Sequence, residues 1–222
     1  MQRYSRYKSQ AKFLKENGGA RNAMDLLSLN YRTKYMHAGV IDKMRAKEHD
    51  EYNRLHKAYP FAKEELPFCI VVPTMNNAKN YRYEYNLQSI YNLNYDPKKV
   101  KVVITDDAST DRTADLIQQF LDEHPPTFNF SLVRHKERVT ALPGIHWSII
   151  DHCSKEDIVL FVDGDDELIN PWILKVFNSV YQNKKANVVY SDHIKIDEGK
   201  NDVLRGWSRA YPQKAIDSNT YR

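Results

Sequence analysis

Cysteine is almost missing from this 222-residue chain, which has only Cys69 and Cys153. Two residues so far apart exclude a disulfide framework and any cysteine-based metal spacing. Each lies in or beside an apolar run, so two buried free thiols in a reducing compartment are expected. Long hydrophobic runs are missing as well: no stretch approaches the ~20 apolar residues that span a bilayer. The polar, charged N-terminus lacks the apolar h-region of a signal peptide. A cytoplasmic protein is expected, one that would meet a membrane only peripherally. No glycine-rich turn ends in Lys-Ser/Thr and no G-x-G-x-x-G occurs, so neither a P-loop nor a nicotinamide site is supported. Ser, His and Cys never form a nucleophile elbow. Counted from Asp163, Leu168 and Leu174 stand where a calcium loop needs Gly and Glu. His146 and His152 are spaced six apart and share no helix face, which reads as surface histidine. Internal repeats and low-complexity tracts are absent too.

At 41% hydrophobic and 28% charged residues, the chain reads as a globular protein with one substantial domain and an attachment. The net charge of +4 is unevenly placed: residues 1–66 hold 14 Lys/Arg against 8 Asp/Glu, and residues 67–222 hold 19 against 21. The first segment is polar and rich in helix formers, and Tyr31, Tyr35, Met36, Val40, Ile41 and Met44 recur at helical spacing. It reads as a basic helical extension, 1–66. Its charge suits a nucleic acid, an anionic lipid or an acidic partner, and equally a solvated helix face.

From Pro67 the texture becomes strand–helix alternation. FCIVVPT, VKVVITDD, FNFSLVRH, DIVLFVDGDD and ANVVYSD read as strands. Between them YRYEYNLQSIYNLNY, DRTADLIQQFLDEH, ALPGIHWSIIDHC and PWILKVFNSVYQN read as helices. Ser109 or Thr110 is expected to cap the second helix, and Pro171 to open the fourth. Short connections imply a mainly parallel sheet with helices on both faces, an α/β domain over 67–222.

In open α/β sheets, ligands bind beyond the carboxyl ends of the strands. Three strands here end in suitable groups: Thr74 with Asn76, Asp106 with Asp107, and Asp163 with Asp165 and Asp166. Acids this close repel one another unless a cation neutralises them. Hard oxygen donors favour Mg²⁺ or Mn²⁺, which commonly bind through one or two carboxylates plus substrate phosphates. Gly164 allows a tight turn beneath such a ligand.

In series, VVPTMNN, VVITDDASTDRT and FVDGDDEL resemble the motifs of family 2 glycosyltransferases with the GT-A fold, in the family's order. The resemblance implies an inverting, metal-dependent enzyme that moves a sugar from a nucleoside diphosphate, a UDP-sugar being favoured, to an acceptor hydroxyl. It implies that Pro73 and Thr74 lie against the nucleoside with Asn76, Asp106 and Gly164 around it, and that Asp107 accepts a hydrogen bond from the base. Asp163 is placed near ribose and metal, Asp165 on Mn²⁺ or Mg²⁺, and Arg138 near the phosphates or donor sugar. Two positions depart from the family pattern. Asn76 stands where an aromatic often stacks on the base, and Gly144 where the helix after the third strand usually carries Asn. The catalytic base implied by the family is expected beyond residue 222, in a part that would also bind the acceptor. A chain without that base would be a non-catalytic nucleotide-sugar-binding or scaffold domain, which stays open as the alternative. The acceptor is open too: saccharide, lipid-linked, protein or nucleic acid.

Overall fold

The computed structural model describes residues 52–168, 170–184 and 186–191, and the short strands 194–197 and 202–205. The helix expected around residues 31–44, like the rest of 1–51, lies outside the described residues. The chain divides into two compact units, Met1–Lys184 and Lys185–Arg222.

The first unit is built on four parallel strands: β1 (Phe68–Thr74), β2 (Val100–Asp106), β3 (Asn129–Arg134) and β4 (Ile158–Phe161). Their order is β3-β2-β1-β4. The chain therefore starts in the middle of the sheet, builds outward through β2 and β3, and then crosses back to lay β4 on the other side of β1. That reversal puts a topological switch point between β1 and β4, where the crevice of an open α/β sheet opens. β1 is buried from Phe68 to Val72, as a central strand covered on both faces must be. Helices α1 (Arg82–Tyr91), α2 (Thr113–Glu123), α3 (Ala141–His152) and α4 (Ile173–Lys184) connect or follow the strands.

Strand alternation decides which helix meets which side chains. Cys69, Val71 and Val103 form one buried cluster, against which Ile145 and Ile149 of α3 pack together with Val133, Val159 and Cys153. On the opposite face, Leu87 and Ile90 of α1 and Ile117 of α2 are buried, beside Val72 and Ile104. Residues 60–66 are tied to α4. Asn178 and Gln182 donate to the Glu64 carbonyl at 2.7 Å each, Ser179 donates to the Pro60 carbonyl at 2.8 Å, and Lys175 pairs with Glu65 at 2.6 Å. The second unit contains a two-stranded antiparallel ladder, β5 (Ile194–Asp197) with β6 (Asp202–Arg205).

Three expectations are corrected. Residues 186–191 of ANVVYSD form no strand, so the parallel sheet has four described strands rather than five. Its Val188 and Tyr190 are 79% and 58% exposed, and an apolar run left in solvent has no ladder to join. Pro171 does not open α4, which begins two residues later; its carbonyl instead accepts the Asn94 N–H at 2.7 Å.

The third correction concerns the cysteines. They are paired in a disulfide, with Cα atoms 5.7 Å apart and a sequence separation of 84. The cause is tertiary: the C-terminal end of α3 lies over the buried face of β1, which brings Cys153 onto Cys69. The inference of a reducing compartment thereby loses its premise. Thiol titration of the denatured, unreduced protein is expected to find no free thiol. Cys153→Ser should lower unfolding stability by roughly 2–5 kcal/mol, because the bridge closes a long loop; thermal denaturation with and without reductant checks it.

Candidate functional site

The parallel register sets the strand ends side by side. Thr74 is the partner of Asp106 across β1 and β2. On the other side, β1 carbonyls accept N–H groups from beyond β4's last paired residue, Val71 from Val162 at 3.2 Å and Pro73 from Gly164 at 2.9 Å. Since N–H and C=O of one residue point the same way in a strand, the missing N–H of Pro73 would face β4 where β4 has already ended. Proline costs no ladder bond there.

Gly164 approaches β1 so closely that a Cβ would lie 2.6 Å from both Cβ and Oγ1 of Thr74 and 2.9 Å from the Pro73 carbonyl. Glycine is therefore demanded by crowding from the neighbouring strand, not by the shape of the turn itself. The turn is also gripped from above by α1. Buried Asn86 donates to the carbonyls of Asp163 (3.0 Å) and Asp166 (2.9 Å), and Ser89 accepts the Leu168 N–H at 3.1 Å. Arg82, one turn before Asn86, pairs with the Asp165 carboxylate at 3.2 Å.

Asp106 and Asp107 are committed to the loops. Asp106 accepts from the N–H of Ser109 at 3.0 Å and from its hydroxyl, which closes the turn after β2. Asp107 accepts the N–H groups of Val139 (2.6 Å) and Thr140 (3.1 Å). Thr140 is the N-cap of α3 but makes no side-chain cap, so a carboxylate from another strand end supplies the acceptor and the negative charge that a helix start favours. Arg138 lies beside it, with its Nε 3.7 Å from the same carboxylate. The Thr74 hydroxyl accepts from Asn77 at 2.9 Å and is buried.

Asn76 sits at φ 56°, a left-handed conformation that asparagine tolerates better than most residues. Its side-chain oxygen accepts the N–H groups of Thr110 (2.9 Å) and Asp111 (3.3 Å), and its own N–H donates to Ser109 Oγ at 2.9 Å. It is a clasp between the loops after β1 and β2. The expected cap of α2 is corrected: neither Ser109 nor Thr110 caps it. Asp111 does that work, accepting from the N–H (2.9 Å) and hydroxyl (2.5 Å) of Thr113 and from the Ala78 N–H (3.2 Å). Burial raises the Asp111 pKa, but these hydrogen bonds outweigh it and hold the carboxyl below its ordinary value.

The family model described as Glycosyl transferase family 2 matches residues 69–221. The chain belongs to this family. As a family 2 glycosyltransferase domain it is similar to several solved structures. One is the mannosyltransferase PcManGT from Pyrobaculum calidifontis in complex with GDP-Man and Mn2+, with 22% identity, a TM-score of 0.49, and coverage of 71% of this chain and 44% of that one. Another is S. aureus TarS, at 23% identity and a TM-score of 0.46, covering 54% and 20%. A third is TarS 1–349 in complex with UDP-GlcNAc, at 22% identity and 0.46, covering 60% and 39%. The family 2 domain described here thus spans less than half the length of those three chains. No curated protein matches it by sequence.

Arg82, Asn86 and Ser89 escaped sequence reasoning. Their spacing of four and three was a signal for one helix face, but nothing in the sequence names the turn that this face addresses. Among the described residues, no group of three or more His, Cys, Asp or Glu is arranged to hold a metal ion.

Two outcomes test this geometry. Gly164→Ala is expected to destabilise by about 1–3 kcal/mol through overpacking against a β-branched neighbour. Gly144→Ala, whose Cβ would meet nothing closer than Thr105 Oγ1 at 3.5 Å, should instead stabilise α3 by up to about 1 kcal/mol; denaturant melts of both variants decide. Asp111 has a folded pKa below its unfolded one, so its stabilisation is complete above the unfolded value and is lost as pH falls through the folded one. Melting temperatures from pH 6 down to pH 2 should therefore fall more steeply for the native chain than for Asp111→Asn.

Proposed function

We propose that the chain binds the nucleoside diphosphate sugar of an inverting glycosyltransferase and presents it, with Mn²⁺ or Mg²⁺, to an acceptor hydroxyl. The observation that carries this reading is the convergence, at the switch point, of the β1 end with an acidic turn on which Asp163 and Asp165 are both exposed. The residues present fit a metal. A cation held by one or two carboxylates and completed by phosphate oxygens and water needs no third acidic ligand, and Asp163 with Asp165 supplies that donor set. When bound, the cation neutralises charge on the departing diphosphate.

The chain's own residues divide the remaining work. Pro73 and Thr74 end the strand on which the nucleoside would lie, with Asn76 and Asp106 shaping the loops beside it. Asp107 keeps acceptor capacity on a carboxylate already oriented by two backbone amides, which suits a donor N–H of a uracil base. Arg138, with its side chain 67% exposed, has reach toward phosphates or sugar. Gly164 holds the acidic turn against β1, which keeps its carboxylates at the switch point. Residues 67–222 would form the donor-binding part, with 1–66 as a basic extension. Which acceptor is used falls to elements other than these.

Calorimetric titration of UDP with and without Mn²⁺, on the native chain and on Asp165→Asn, tests the reading. Micromolar, metal-dependent binding that weakens at least tenfold in the variant is expected. Metal-independent binding, or none by a folded protein, would overturn it.

A further inference from the structure

Arg82 has no part in the donor site proposed above, although its guanidinium contacts the acidic turn. Arg82 opens α1 directly after Tyr81, which is held at φ 59°. From there, positions 82, 86 and 89 line one face of the helix, and all three engage residues 163–168. Asn86 and Ser89 hold backbone. Arg82 alone takes hold of a side chain, the carboxylate proposed to bind metal, and the ion pair is partly open to solvent, 41% and 46% exposed.

An exposed pair of this kind is worth ~0.2–1 kcal/mol, so it can be exchanged for a better one. The same guanidinium is a planar multi-donor group suited to phosphate oxygens. We infer that Arg82 is the resident counter-ion of Asp165 in the ligand-free protein, and that it passes to the diphosphate when metal takes the carboxylate. The cation and the arginine then compete for Asp165 when nucleotide is absent and cooperate when it is present. Metal alone binds weakly, and metal with diphosphate binds well. Arg82 is thus a positioning residue for the donor, and it couples metal entry to nucleotide entry. This inference rests on the proposed donor site.

The test measures Mn²⁺ binding to the full chain by electron paramagnetic resonance without nucleotide, then UDP binding by calorimetry at saturating Mn²⁺. Arg82→Gln is expected to bind Mn²⁺ alone about two- to fivefold more tightly than the native chain, the size of a lost exposed ion pair. It should bind UDP several-fold more weakly at saturating metal. Arg82→Lys, which keeps the charge, should leave Mn²⁺ affinity near the native value and still weaken UDP binding, because it loses the planar fork. Unchanged or weaker Mn²⁺ binding by Arg82→Gln would overturn the inference, provided Asp165→Asn abolishes Mn²⁺ binding. If Asp165→Asn leaves Mn²⁺ binding untouched, the metal site itself is wrong and the inference falls with it.

Discussion

The contact between Gly164 and the end of β1 governs everything else at the carboxyl edge of the sheet. β4 is short and only partly buried, yet the acidic turn after it must be fixed to within a fraction of an ångström to act on a ligand. The chain achieves this by carrying hydrogen bonds past the last paired residue and by removing the side chain at position 164, so that backbone meets the Thr74 side chain directly. Proline at position 73 is compatible because its ring lies where no donor is required. Without that close approach, Asn86 would have no turn to grip and Arg82 no carboxylate to meet.

Charge at the edge is handled by division of labour. Four carboxylates lie beyond the flanks of β1: Asp106, Asp107 and Asp111 at and after the end of β2, and Asp165 after β4. Three are satisfied by N–H groups and hydroxyls of the loops and so act as internal caps and ties. Their negative charge is spread into local dipoles rather than left facing a neighbour. Among these four, Asp165 is met by a partly solvated arginine, whereas Asp107, which also has Arg138 nearby, is already held by two amides.

The strands, the helices and the acidic strand ends were legible because each leaves a local trace: β-branched runs, apolar periodicity and paired acids. FCIVVPT became β1 with its expected bounds, and the VDGDD turn sits at the sheet edge as its preceding apolar run required. What could not be read was anything that depends on two distant segments meeting. Cys69 and Cys153 look like isolated apolar thiols until α3 is laid over β1. Asp107 looks like a free ligand until the loop before α3 closes on it, and Asn76 looks like a weak substitute for an aromatic until it clasps 110–111. ANVVYSD failed for a different reason: β-propensity describes a fit to a pleated, half-buried surface, and no such surface receives it.

The cross-link has a topological consequence. The covalent ring closed by Cys69 and Cys153 contains all of β2 and β3 and nearly all of β1, together with α1, α2 and α3, but β4 and the acidic turn hang outside it. When the domain loosens, segments inside the ring keep a bounded separation, whereas the turn is retained by packing and a few hydrogen bonds alone. Opening free energies differ between regions for reasons of this kind. The loops after β1 and β2 should therefore outlast the acidic turn, so in a partly opened molecule the proposed metal ligands would part before the proposed base-binding loops do.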